Sequence, residues 1–179
     1  MRVISGKYKG KKLDGFMIDG TRPTMDRVKE SMFGMIQGYI KNSICLDLFA
    51  GSGSLGIEAL SNGACMCYFV ENSNKIINIL KNNLQDISDS ILFNQDYKEA
   101  LSYFVKNNIK FDVIFLDPPY KFNLINDILE FINKNDLLNS DGIIVCEFDN
   151  EHVVNDEFSL IKSKKYGDKS VFIYKKLNF

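Results

Sequence analysis

From residue 44 onward the chain alternates short, nearly continuous apolar runs with stretches whose apolar residues recur at helical spacing. The apolar runs are ICLDLFA, CYFVE, ILFNQD, DVIFLD and IIVCEF, and the helical stretches open near Ser54, Asn74, Tyr97 and Asn123. Strands apolar on both faces and joined by helices predict a parallel sheet covered on both sides. Further on, FSLIKSKKYGDKSVFIYKKL holds two alternating runs around YGDK and predicts an antiparallel hairpin that closes the sheet. The predicted class is α/β: a doubly wound, mostly parallel, seven-stranded Rossmann-like sheet with a C-terminal antiparallel hairpin.

The first 41 residues follow a different pattern. RVISGKYKGKKL mixes small, apolar and basic residues with glycines at 6 and 10, and predicts a short exposed β-hairpin or ribbon. In DGTRPTMDRVKESMFGMIQGYI, Pro23 blocks an earlier helix start, Thr24 is placed to cap and Asp26 falls in the first turn. Met25, Val28, Met32, Met35 and Ile36 then mark one helical face, expected to be core packing. No repeat or low-complexity linker divides the 179 residues. One domain is expected, with residues 1–41 as a basic hairpin-and-helix appendage and 42–179 as the core.

Charge changes this picture more than composition does. Residues 1–41 carry nine Lys/Arg against four Asp/Glu, residues 42–158 seven against eighteen, and residues 159–179 six against one. Both ends are thus +5 and the middle is −11. All three arginines (Arg2, Arg22 and Arg27) lie near the start, against 19 lysines spread along the chain. Arginine's planar, bidentate donor suits phosphate, so a phosphate-binding surface including Arg2, Lys7 and Lys9 is expected there. Cys45, Cys65, Cys67 and Cys146 all sit in apolar runs without a C-x-x-C pair, and His152 is the sole histidine, so buried thiols are expected rather than zinc or disulfides. No apolar run approaches a membrane span, and no signal peptide is recognisable. The expected protein is cytoplasmic and monomeric, without metal.

LDLFAGSGSLGIEAL carries G-x-G-x-x-G at Gly51, Gly53 and Gly56, after a predicted strand and before a predicted helix. In that context the motif predicts a nucleoside cofactor, cradled by Phe49, Ala50, Gly51, Ser52, Gly53 and Gly56 at a helix N-terminus. Glu71 follows Gly51 by 20 residues, where a carboxylate accepts from both ribose hydroxyls. The spacing fits NAD as well as S-adenosyl-L-methionine. Asp47, on the strand before the loop, would repel a pyrophosphate and attract the ammonium of a methionine moiety, and this favours S-adenosylmethionine. Asp96 has two readings of equal weight, a contact to the adenine amino group or an N-cap for the helix that follows.

FDVIFLDPPYKF spends two of the chain's three prolines at the end of its most apolar strand. Pro118 and Pro119 extend neither a ladder nor a helix, so they fix a rigid corner between the Asp117 carboxylate and the Tyr120 ring. In doubly wound sheets the ligand crevice lies at the carboxyl ends of the strands, which sets this corner beside the glycine loop. An exocyclic amine is a poor nucleophile because its lone pair is delocalised into the ring. Asp117 and the Pro118 carbonyl can each accept one amine hydrogen, and Tyr120 offers a stacking face.

Taken together, SGKYKGKKL, TRPTMDRVKESMF, LDLFAGSGSLGIEALSNGA, FVE, FLDPPY and KKYGDKSVFIY resemble the small-subunit ribosomal RNA guanine-N2 methyltransferases, the RsmD family, nearly end to end. The resemblance implies methyl transfer from S-adenosylmethionine to a guanine N2 of 16S rRNA within an assembled or assembling small subunit. It assigns Asp47, Gly51, Gly53 and Glu71 to the cofactor and Asp117, Pro118 and Tyr120 to the guanine. Arg22, Thr24 and Arg27 fall near the substrate entrance. Asn62, Lys11 and Lys29 stand where the family commonly has arginine, and their pattern reads as surface positions, cationic in the two lysines. The alternatives are another amino methyltransferase (DNA adenine-N6 or protein glutamine-N5), a non-catalytic cofactor- or RNA-binding protein, and a dinucleotide oxidoreductase.

Overall fold

The computed structural model describes residues 1–15, 22–118, 122–149, 155–167 and 169–177. Helix α1 (Arg22–Ile40) leads into β1 (Ile44–Asp47), followed by α2 (Ser54–Ser61), β2 (Met66–Val70), α3 (Ile77–Leu84) and β3 (Ser90–Phe93). Then come α4 (Tyr97–Lys106), β4 (Phe111–Leu116), α5 (Phe122–Lys134), β5 (Leu138–Asp149), β6 (Phe158–Tyr166) and β7 (Lys169–Lys176). The seven strands form one sheet in the order β3-β2-β1-β4-β5-β7-β6. β1 to β5 pair in parallel, and β7 runs antiparallel between β5 and β6. The expected fold class is the observed one.

Strand alternation divides the interior into two cores. Cys45, Cys67, Phe69, Val113, Phe115, Ile143, Val171 and Ile173 pack beneath α1, α2 and α3. Leu46, Val70, Ile114, Leu116, Ile144, Phe172 and Tyr174 pack beneath α4 and α5. Val28, Met32 and Ile36 are buried in the first of these, so most of the methionine-containing stripe is core, as its spacing predicts. Two helix boundaries differ from expectation. Helix α1 begins at Arg22, because a proline costs nothing in a first turn whose N–H groups lack helical partners; Thr24 therefore lies inside the helix. Helix α3 begins at Ile77, after a turn in which Ser73 O accepts from the N–H groups of Ile76 and Ile77.

The N-terminal ribbon is less regular and less exposed than its sequence suggests. One antiparallel bridge joins Arg2 to Lys12, while Val3 and Leu13 are buried in the core. The ribbon lies along α2: the Lys7 N–H donates to Ser61 O (2.8 Å), and the Tyr8 N–H donates to Ser61 Oγ (2.9 Å). Gly6, at φ 79°, passes so close that a Cβ there would sit 1.8 Å from Ser61 O. Three of the four cysteines are buried, and burial pushes the Cys45 thiol up to about 12. Cys65 is the exception. It is exposed in the turn before β2, where its N–H donates to Ser43 O. Among the described residues no helix is long and apolar enough to cross a membrane, and no three His, Cys, Asp or Glu side chains form a metal-binding group.

Candidate active site

The pairing register sets the carboxyl ends of four strands side by side. Asp47 is level with Phe69 of β2 and Phe115 of β4, so Glu71 and Asp117 each lie two residues beyond that line. The loop after β1 continues the sheet's bonding: the Leu48 N–H donates to Phe115 O (3.2 Å) and the Ala50 N–H to Val70 O (2.9 Å). Gly53, at φ 82°, precedes the first residue of α2.

Each carboxylate has a separate place. Asp47 is only 2% exposed and lies under the loop, where its Oδ2 accepts from the Gly56 N–H (3.0 Å). It is thus turned toward α2's first turn, whereas the sequence suggested a carboxylate at the pocket mouth. Burial pushes its carboxyl up to about 7; the Gly56 N–H pulls it down, and the charges of Asp117 and Glu71 add to the rise. Glu71 reaches across to the loop, accepting from the Gly51 N–H (2.9 Å) and from the Ser73 N–H (2.7 Å). Asp96 accepts from the Lys98 N–H (2.8 Å) as the N-cap of α4, one of its two sequence readings. Asp117 is exposed directly after β4 and Pro118 is half-buried. Pro119 and Tyr120 lie outside the described residues.

The Asp47 geometry sets a pH dependence. A carboxyl raised from 3.8 to about 7 is protonated in the folded chain and ionised in the unfolded one between those values. Its stabilising contribution is full below pH 4 and is lost as pH rises toward 7, at up to about 1.4 kcal/mol per pH unit. Asp47→Asn keeps an acceptor for Gly56 and removes the titration. Urea denaturation between pH 5 and 8 is expected to give the variant a flatter stability profile than wild type; parallel profiles would assign Asp47 an ordinary pKa.

The loop leaves room for a ligand. At Gly51, φ 56°, a built Cβ would meet no atom within 4 Å, so this stretch of backbone faces open space. On one flank the Phe49 and Tyr97 rings pack 5.4 Å apart, an apolar wall of the kind an adenine requires. The Asn83 amide fixes the buried Ser52 from α3, donating to Ser52 O and Asp14 O (both 2.8 Å). Open glycine backbone, an aromatic wall and carboxylates at the adjoining strand tips fit S-adenosylmethionine. Asn83 and Tyr97 were not singled out in the sequence; Tyr97, directly after Asp96, carried a signal that could have been read.

The largest surprise is a buried network behind the loop. Lys29 and Glu58 pair at 3.2 Å with side chains only 6% and 1% exposed. Glu58 also accepts from the N–H groups of Ile4 and Ser5 (both 2.9 Å), and Lys29 donates to Arg2 O (2.6 Å) and Ser54 Oγ (3.0 Å). Asn62 joins it, donating to Glu58 O (2.8 Å) and accepting from Ser5 Oγ (2.8 Å). Lys29 and Asn62 are therefore internal fasteners, correcting their reading as surface positions. Lys11 remains near the surface, 3.5 Å from Asp86.

The expected basic surface divides in two. Arg2 pairs with Asp26 at 3.2 Å beside the start of α1, and Arg27 is exposed one residue further on. Arg22 and Thr24 belong to the first turn of that helix, and their side chains are outside the described set. Lys7 and Lys9 lie at the ribbon's far end. Lys7 Nζ is 3.4 Å from Ser88 Oγ, beside the loop that enters β3, so it faces the amino-terminal edge of the sheet, away from the strand tips. The two lysines are not gathered with the arginines.

Fold and site together define a Rossmann-like methyltransferase. The chain belongs to the RsmD family: the family model described as Conserved hypothetical protein 95 matches residues 1–175. Ribosomal RNA small subunit methyltransferase D of Haemophilus influenzae is 38% identical over 97% of this chain and 93% of its own. YlbH of Bacillus subtilis is 42% identical over 98% and 99%. The solved structure of YhhF from Escherichia coli, 30% identical, superposes with a TM-score of 0.84 over 98% of this chain and 97% of that one.

Proposed function

We propose that this protein methylates the exocyclic N2 amine of one guanine in 16S rRNA, with the small ribosomal subunit or its assembly intermediate as substrate. The observation that carries the reading is an exposed Asp117 at the tip of β4, next to the strand that feeds the glycine loop. The similarity to ribosomal RNA small subunit methyltransferase D supports the substrate class.

S-adenosylmethionine, when bound, supplies a methyl group already activated by its sulfonium. Glu71 would take the ribose hydroxyls, and Phe49 with Tyr97 would flank the adenine. Asp47 holds Gly56 from beneath, and an arriving ammonium favours its ionised form because opposite charge lowers a carboxyl pKa. Asp117 and the Pro118 carbonyl each accept one hydrogen of the guanine amine. They would orient its lone pair for in-line attack, and such positioning of the nitrogen can supply a large share of the rate gain. The Tyr120 ring is assigned to stacking on the base, a contact worth about 1–3 kcal/mol, with Pro119 beside it in the sequence. A guanine reaches such a pocket only from an unstacked, looped-out position. Arg2, Arg22 and Arg27 meet phosphates around it, with Thr24 nearby.

The test is methyl transfer from labelled S-adenosylmethionine to small subunits lacking guanine-N2 methylation, with naked 16S rRNA and duplex DNA alongside and products digested to nucleosides. N2-methylguanosine from the subunits is expected. N6-methyladenine from DNA, or label on protein alone, would overturn the substrate assignment.

A further inference from the structure

Lysines in the last two strands have unlike surroundings. Each of the three in β7 faces a carboxylate: Lys169 with Glu147 (2.7 Å), Lys175 with Asp141 (3.1 Å) and Lys176 with Asp136 (3.3 Å). In β6, by contrast, Lys162, Lys164 and Lys165 are exposed and form no ion pair among the described residues. Lys162 Nζ donates to Met35 O (2.7 Å), and Lys164 Nζ to Ser31 Oγ (3.0 Å) while lying 5.4 Å from the Tyr166 ring centre. Neutral oxygens hold these two ammonium groups in place and leave their charge uncompensated.

Their arrangement is a line. Lys162 and Lys164 pair with Ile173 and Val171, whose side chains belong to the core beneath α1, so both face that helix; Lys165 pairs with Ser170 on the opposite face. Two residues along β6 match four along α1 in the reverse direction, from Met35 to Ser31, and the same advance leads toward Arg27 at the site end. Alternate strand residues are about 6.6 Å apart, close to the interval between neighbouring phosphates of a nucleic-acid strand. Between Arg27 and Ile40 the only acidic residue is Glu30. The exposed Gly34 and Gly38 of α1 have open space where a Cβ would stand, so nothing rises beside the lysines to hold a backbone away. A register shift between Leu160 and Lys162 interrupts this outer edge and, with the lysines, disfavours pairing with another strand.

We propose that the seam between α1 and β6 is a second docking track for the RNA backbone, in which Lys162 and Lys164 take phosphates of the strand flanking the target nucleotide. The inference rests on the rRNA reading above and extends the substrate footprint from Arg27 down the side of the sheet. An acidic ribosomal-protein surface is the competing occupant.

The test compares Lys162→Ala/Lys164→Ala with the charge-matched control Lys165→Ala/Lys176→Ala. Binding of a fluorescein-labelled single-stranded RNA 20-mer is followed across salt concentrations, and methyl transfer to unmethylated small subunits is measured in parallel. Two lost phosphate contacts are expected to reduce the slope of log K against log salt by about 1.4. The KM for subunits should rise at least tenfold, with kcat and cofactor affinity unchanged and the control close to wild type. An unchanged slope, or an equal change in the control, would overturn the track. So would a raised KM with an unchanged RNA slope, which would point to the protein occupant. Failure of the rRNA reading would show separately, as wild type transferring no methyl to guanine while the slope difference persists.

Discussion

Asp117→Ala is expected to lower kcat for methyl transfer by at least about 10²–10³-fold, the usual loss when one group acting on transition-state charge is removed. The cofactor dissociation constant should stay within a few-fold of wild type. The split follows from position. Asp117 is exposed at the tip of β4, whereas the loop's fastenings are made by Asp47, Glu71 and Asn83. Asp117→Asn retains one acceptor oxygen and should fall between the two. Isothermal titration with S-adenosylmethionine and single-turnover transfer to small subunits, run on the same preparations, separate the effects. A variant that no longer bound cofactor would move Asp117 from the amine to the cofactor pocket. The substitution also carries an internal check. Asp117 is one of the two carboxylates that raise the Asp47 pKa, so its removal should lower the pH at which Asp47 titrates.

Glu58→Ala is expected to destabilise the fold by about 3–5 kcal/mol, the cost of leaving a buried charge without its partner. Domains of this kind have total stabilities of about 5–15 kcal/mol, so the loss is a large fraction. Here the stranded charge is Lys29, and the N–H groups of Ile4 and Ser5 lose their acceptor at the same time. Pairing Glu58→Gln with Lys29→Met removes both charges and keeps an acceptor for the ribbon. That double variant should recover much of the loss, and the complete double-mutant cycle in urea gives the coupling. A loss under about 1 kcal/mol for Glu58→Ala would mean that the ribbon is held chiefly by its apolar contacts at Val3 and Leu13.

The contrast between these two residues shows what a sequence displays. Asp117 could be read because its signal is local: an apolar strand, a carboxylate and two prolines in consecutive positions. The five parallel strands were legible for the same reason, as continuous apolar runs that only a doubly covered sheet accommodates. Glu58 was not. In SLGIEALS it resembles any acidic residue on a helix, and its partners lie 29, 53 and 54 residues earlier in the chain. Lys29 was misread by the same logic, because a lysine among polar neighbours defaults to the surface unless a distant carboxylate is known. Asp47 is an intermediate case: its place on β1 was clear, but whether it faced a ligand or the underside of the loop depended on how α2 begins. The edge position of β6 was partly legible, since VFIY is a continuous apolar and aromatic run and LIKSKKY is not.

The sheet order has a consequence for how the molecule is made. β6 precedes β7 in the chain, yet β7 lies between β6 and the rest of the sheet. As the polypeptide is synthesised, β6 emerges with no neighbour to bond to and waits for a later segment to supply one. A nascent chain released after Tyr166 would therefore lack two strands' worth of sheet and would leave bare the edge of β5 that β7 covers. Stalling in this short interval would expose an apolar edge able to pair with other chains, and a premature stop there should yield insoluble protein.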